Sequence, residues 1–146
     1  MKASSPLSEQ PKTVFLNGNM VSFPEAKISV MAPGLTFAAA VFEGLRAYWN
    51  EKQEQLYVFR ISEHLERLQF SARVIELESP PSSDAFKQQI LTSLSANNCR
   101  SDTYIRVQAH VDDWGDMTAT GPVGSYVVCR NRERSSAFTN GKHFAV

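Results

Sequence analysis

A chain of 146 residues, 42% hydrophobic and 21% charged, has the makings of one globular domain that can bury roughly two-thirds of its unfolded surface without staples. Fifteen Lys and Arg cancel fifteen Asp and Glu, so no overall field recruits nucleic acid or an anionic membrane. Cys99 and Cys129 are far apart with no CxxC spacing, which argues against a disulfide framework or a thiolate zinc site. With no stretch near the ~18 apolar residues of a membrane span, this points to a cytoplasmic protein.

Residues 1–12 are rich in Ser, Pro and charge, carry no apolar signal core, and read as a flexible N-terminus. From Thr13 to Phe23 the pattern is strand, Asn17-Gly18, strand, because Asn-Gly supplies the positive φ angles of a tight hairpin turn. Lys27 to Val30 reads as a short extended piece ended by Pro33-Gly34, and Thr36 to Ala40 as a single turn. Phe42 to Trp49 and Leu56 to Phe59 read as a second hairpin with a polar tip at Asn50 to Gln55. Ile61, Leu65, Leu68, Ala72 and Ile75 then recur at helical steps, so they share one face of a helix. Pro80-Pro81 break the chain, Ser82 or Ser83 can cap, and Phe86, Ile90, Leu91 and Leu94 form the stripe of a second helix ending at Asn97-Asn98. Thr103 to Val111 and Ser125 to Cys129 are β-branched and aromatic, as strands are. Between them lies a loop with three Asp, three Gly and one Pro. Strands, two helices, then strands predict an α+β two-layer domain: a largely antiparallel sheet with two helices on one face.

Four segments carry most of the chemistry: Val41-Phe42-Glu43-Gly44-Leu45-Arg46-Ala47-Tyr48, Val58-Phe59-Arg60, Glu63-His64-Leu65-Glu66-Arg67-Leu68, and Tyr104-Ile105-Arg106. In this order and spacing they resemble the fold-type IV, pyridoxal-phosphate-dependent aminotransferases of the branched-chain type, and the resemblance runs from about Val14 onward. It implies a small N-terminal domain over residues 13–130, then an interdomain linker and the start of a second domain over 131–146. It also implies pyridoxal 5'-phosphate as cofactor, an amino acid and a 2-oxo acid as substrates, and a homodimer.

Arg60 stands where a strand passes into a helix, and a guanidinium is a flat, permanently charged fork suited to phosphate. The resemblance makes it the cofactor-phosphate ligand; the alternative is an exposed arginine at a helix start, where the helix dipole mildly disfavours it. Tyr104 and Arg106 alternate with Ile105 and share one strand face. In the family this pair lines the substrate pocket, the arginine taking the side-chain carboxylate when glutamate is the donor; the alternative is a solvent-facing Arg106. Phe42 and Gly44 share a face in the same way, and the resemblance sets them beside the substrate side chain, with Phe42 as plain core the rival reading. Upstream, Thr36-Phe37-Ala38 replaces the family's His-Tyr-Gly, so Phe37 removes a pocket hydroxyl and tilts substrate choice towards apolar or bulkier side chains. Trp114, in Asp112-Asp113-Trp114-Gly115-Asp116, stands where relatives have a loop reaching over a neighbouring subunit's site and is a possible lid; a solvated acidic loop is the alternative. The spacing lacks a calcium pattern. His64, His110 and His143 show no metal-ligand spacing, so no metal is expected. No GxSxG elbow occurs.

Transamination also needs an amine to hold the cofactor and move a proton. None of Lys2, Lys12, Lys27, Lys52, Lys87 and Lys142 stands in a context like the family's catalytic lysine, which the resemblance puts beyond Val146. The chain alone is therefore expected to be inactive. Sister activities on the same fold, a D-amino acid aminotransferase or an aminodeoxychorismate lyase, and a non-catalytic dimerisation or binding domain are the other readings.

Overall fold

The computed structural model describes residues 10–132. Strands β1 (Thr13–Leu16), β2 (Asn19–Ser22), β3 (Ala40–Asn50), β4 (Gln55–Val58), β5 (Thr103–Val111) and β6 (Val123–Asn131) form one sheet in the order β2-β1-β6-β5-β3-β4. All five pairings are antiparallel. Helices α2 (Ile61–Val74) and α3 (Ser83–Ala96) pack against β3 and against β6 and β1, respectively, and against each other, while α1 (Pro33–Thr36) is a single turn lying against β5. The α+β two-layer expectation holds.

Local chemistry explains the element ends. Asn17 and Gly18 both adopt positive φ, 49° and 79°, as a tight turn between right-twisted strands requires. Ser82 caps α3, its hydroxyl accepting from the Ala85 amide at 3.2 Å. At the far end, the Asn97 side chain substitutes for a strand partner: its Oδ1 accepts from the Lys12 and Thr13 amides, and its Nδ2 donates to the Thr13 carbonyl. One side chain thereby ties the start of the sheet to the end of a helix.

Several expectations shift. Phe23 leaves the hairpin and enters a 3-10 turn with Pro24, which cannot donate to a ladder. The extended piece Lys27 to Val30 joins no strand of the sheet, and the helical turn begins at Pro33 rather than at Thr36, since proline at a first helical position loses no hydrogen bond. Leu91 is 45% exposed and Ile75 39%, so each falls off the stripe assigned to it; Ser93 takes a buried place on α3 instead. Strand β6 starts two residues earlier than Ser125 and runs two residues past Cys129, to Asn131. The remainder of the expected linker, and His143, lie outside the described residues.

The two-residue period of the strands sorts the sheet into unlike faces. Leu45, Ala47, Ile105, Val107, Ala109, Val111, Val127 and Cys129 meet Leu65, Leu68 and Ala72 of α2 and Phe86, Ile90 and Leu94 of α3 in one core. The other face carries Phe42, Gly44, Arg46, Tyr104, Arg106, Gln108, Tyr126 and Arg130, partly or largely exposed. His110 belongs by parity to this second face yet is only 1% exposed, because α1 lies on it. A Cβ on Gly34 would come 2.7 Å from His110 Cβ, so only glycine permits that approach. Among the described residues, neither ring nitrogen of His110 has a hydrogen-bond partner, and Asp112 Oδ1 stands 4.0 Å away. Burial pushes the His110 pKa down, against a weaker opposing pull from Asp112.

Two outcomes follow for stability. Phe86→Ala empties the centre of the core and should cost about 3–5 kcal/mol in urea unfolding, whereas Leu91→Ala should cost under about 1 kcal/mol. A depressed folded-state pKa means that the unfolded chain takes up a proton near pH ~6.5 that the folded protein refuses. Stability should therefore decline as pH falls from about 7 towards 5, and His110→Phe should flatten that decline; equal slopes in the two proteins would refute it.

Candidate active site

The open face is a grid set by strand register. Arg46 of β3 stands opposite Tyr104 of β5, which stands opposite Arg130 of β6. The next row is Gly44, Arg106 and Val128, and the next Phe42, Gln108 and Tyr126. The Phe59 amide donates to the Arg46 carbonyl at 2.9 Å, which extends the first row to the end of β4, where Arg60 follows. Four of the singled-out residues, Phe42, Gly44, Tyr104 and Arg106, thus meet on adjacent strands.

Within the grid the side chains are already ordered. Arg106 lies over the Phe42 ring, its Cζ 3.9 Å from the ring centroid. Its Nε donates to the Tyr126 hydroxyl at 3.0 Å and its Nη2 to Gln108 Oε1 at 2.9 Å, and Tyr126 donates to the same Gln108 oxygen at 2.7 Å. All these partners are neutral, so the positive charge of Arg106 is oriented without being cancelled. The space that Gly44 leaves is taken by its neighbour: a Cβ there would meet the Tyr104 hydroxyl at 2.8 Å. The glycine is therefore a seat for Tyr104. Arg130 stands 5.1 Å from the Tyr104 ring on the other side. Beyond it, a cavity of about 450 Å³ opens between Tyr104, Arg106, Tyr126 and Arg130 and a wall formed by Phe23, Ala26 and Ile28. Ile28, in the extended piece Lys27 to Val30, thus contributes to that wall.

Arg60 is the N-cap of α2 and adopts the left-handed conformation, φ 50° and ψ 44°, which costs a non-glycine residue on the order of 1 kcal/mol or more. Its side chain is 66% exposed, 3.8 Å from Glu63 and 5.7 Å from the Phe59 ring centroid. Phe37 and Trp114 are elsewhere. They lie on loops at the end of the sheet where β3 begins and β5 ends, 49% and 73% exposed. These loops touch: a Cβ on Gly115 would sit 3.0 Å from Pro33.

On the opposite face, sequence reasoning passed over Glu43. It occupies a core-facing position between Val41 and Leu45 and is 7% exposed. The Arg67 guanidinium clasps it with two bonds of 2.6 Å, Nε to Oε1 and Nη2 to Oε2, and His64 Nδ1 sits 2.8 Å from Oε2. Burial works to raise the Glu43 pKa, but the bonds and charges of Arg67 and His64 together outweigh it and hold the carboxyl below its usual range. The available signal was parity, an acid where alternation calls for an apolar side chain. Among the described residues, no group of three or more His, Cys, Asp and Glu could hold a metal ion, and no helix is long and apolar enough to cross a membrane.

Comparison with known proteins places this geometry. Residues 40–142 match the profile of the family described as Amino-transferase class IV. A probable branched-chain-amino-acid aminotransferase of Aquifex aeolicus (strain VF5) is 40% identical over 99 residues, covering 68% of this chain and 32% of the relative. The branched-chain-amino-acid aminotransferase of Escherichia coli (strain K12) is 35% identical over 111 residues, 76% of this chain and 35% of the relative. Among solved structures, the branched-chain aminotransferase of Thermoproteus uzoniensis with norvaline superimposes with a TM-score of 0.79 at 33% identity, covering 85% of this chain and 42% of that one. The branched-chain amino acid aminotransferase of Thermobaculum terrenum in its PLP-form does so with a TM-score of 0.77 at 26% identity, covering 87% and 42%. The chain spans about a third of the length of the curated relatives it matches.

Proposed function

Because this chain belongs to the class IV aminotransferase family, we propose that it supplies the phosphate anchor and half of the substrate pocket for amino transfer between an amino acid and a 2-oxo acid. The observation that carries this reading is the meeting of Phe42, Gly44, Tyr104 and Arg106 on one open sheet face, one strand away from the strand end that bears Arg60. The donor chemistry fits pyridoxal 5'-phosphate. The Arg60 guanidinium, touched by Glu63 at 3.8 Å and by the Phe59 ring at 5.7 Å, keeps its fork for a phosphate. When bound, the cofactor supplies the electron sink that lets an amino group move between carbon skeletons.

The chain's own residues then have separable tasks. Arg60 binds the phosphate and fixes where the reacting end lies. Phe42 and Tyr104 form aromatic walls that keep water from the substrate side chain, as pocket walls are mostly apolar. Arg106, held by Phe42, Gln108 and Tyr126, presents an uncancelled charge to a carboxylate such as that of glutamate or 2-oxoglutarate. The apolar wall at Phe23 and Ile28 favours branched-chain or other hydrophobic partners. The described lysines, Lys12, Lys27, Lys52 and Lys87, are all exposed, so in this reading the proton-moving lysine comes from outside residues 10–132. The exposed aromatic face, with Phe42 and Phe59 each 55% exposed, supports a further domain covering it. Leu35, Phe37, Trp114 and Met117, exposed together at one end of the sheet, support a homodimer with Trp114 as a lid residue.

Two substitutions in the full-length protein test the assignments. Arg60→Ala should weaken pyridoxal 5'-phosphate binding at least about tenfold with an unchanged urea midpoint; equal cofactor content in mutant and parent removes the anchor. Arg106→Ala should raise KM for glutamate roughly ten- to a hundredfold while leaving leucine within about threefold. Equal losses with both donors would count against it.

A further inference from the structure

We propose that Glu43 is a positioning residue for Arg60: from the buried side of the sheet it fixes the first turns of α2, and through His64 it fixes the backbone conformation that aims the Arg60 guanidinium. The inference rests on reading Arg60 as the phosphate anchor.

A carboxylate removed from water is unfavourable unless its lone pairs are filled, and an apolar side chain at the same place packs at lower cost. Leu45 and Ala47, the next core-facing residues of β3, show that an apolar side chain suits this face. Glu43 is held there by three contacts, all to α2 and all in its first two turns, from Arg67 and His64. Such a clasp is weak evidence for stability and strong geometry for direction: the bidentate arginine fixes the angle of the helix about the strand as a single apolar contact would not.

The link to Arg60 is short. The His64 amide donates to the Arg60 carbonyl at 3.2 Å, the first helical bond of α2, while the His64 ring is the group that Glu43 grips. From the other side, the Phe59 amide donates to the Arg46 carbonyl at 2.9 Å, and Arg46 lies three residues after Glu43 on the same strand. Strand β3 therefore holds Arg60 through both neighbouring segments. That matters because Arg60 sits at φ 50°, where a side-chain-bearing residue stays only if its surroundings over-determine it. With the clasp gone, the first turn of α2 is free to fray and Arg60 to relax to an ordinary conformation, which sends its side chain in another direction. The 3.8 Å pair with Glu63, both partners well exposed, is too weak to hold it.

The test is a double-mutant cycle on pyridoxal 5'-phosphate affinity in the full-length protein, with Glu43→Gln, Arg60→Ala and the combination, read together with hydrogen exchange at the His64 amide. Glu43→Gln should weaken binding roughly tenfold alone and add nothing once Arg60 is alanine. It should also speed exchange of the His64 amide about tenfold while amides of α3, β5 and β6 keep their protection. A Glu43→Gln penalty of equal size in both backgrounds, or unchanged affinity and exchange, overturns the proposal. If Arg60→Ala itself leaves affinity intact, the anchor reading fails, and the exchange at His64 still decides whether the clasp orders that turn. Should Glu43→Gln not fold, Arg67→Lys keeps the charge and loses the fork; it enters the same cycle with the same expectations, and unchanged affinity and exchange in it are equally fatal.

Discussion

The alternation of side chains along β5 is the constraint from which the rest follows. As the strand between β3 and β6, it pairs with β6 along its whole length and with β3 from Thr103 to His110, so successive residues alternate between the helix side and the opposite side. Ile105, Val107 and Ala109 go to the core and are completely buried. Tyr104, Arg106 and Gln108 are thereby forced onto the other side, next to whatever β3 and β6 present there. A one-residue slip would bury an arginine and expose the core, which is why register and site are specified by the same interaction.

The two faces handle charge in opposite ways. Beneath the sheet, the carboxylate of Glu43 is satisfied by Arg67 and His64, and its energy goes into fixing a helix against a strand. Above it, Arg106 is bonded, among the described residues, to neutral partners and a ring, so its charge is steered but available. A positively charged, aromatic face of this kind suits anions attached to apolar bodies.

Much of this was legible in the sequence because it is local. The Asn17-Gly18 turn, the β3–β4 hairpin, the helical stripe Leu65, Leu68 and Ala72 and the cap at Ser82 follow from backbone preference and period. The shared face of Tyr104 and Arg106 needed only the pleat. Less legible were the places where one segment lies on another. His110 has the parity of an open-face residue and is buried because α1 covers it through Gly34. The gap at Gly44 reads as room for a ligand and is occupied by the Tyr104 ring, a contact between distant parts of the chain that only strand pairing creates.

The sequence by itself determined the elements, the order in which they occur and the sides on which their residues emerge, since these depend on φ, ψ and side-chain type within a few residues. The tertiary structure alone decided which emerging residues meet: that Arg106 is pinned by Gln108, Tyr126 and Phe42 from three strands, that Glu43 reaches α2, and that Arg60 is held in a strained conformation. These outcomes depend on strand order and helix packing, in which contacts between distant segments outweigh local preference, and no period in the chain encodes them.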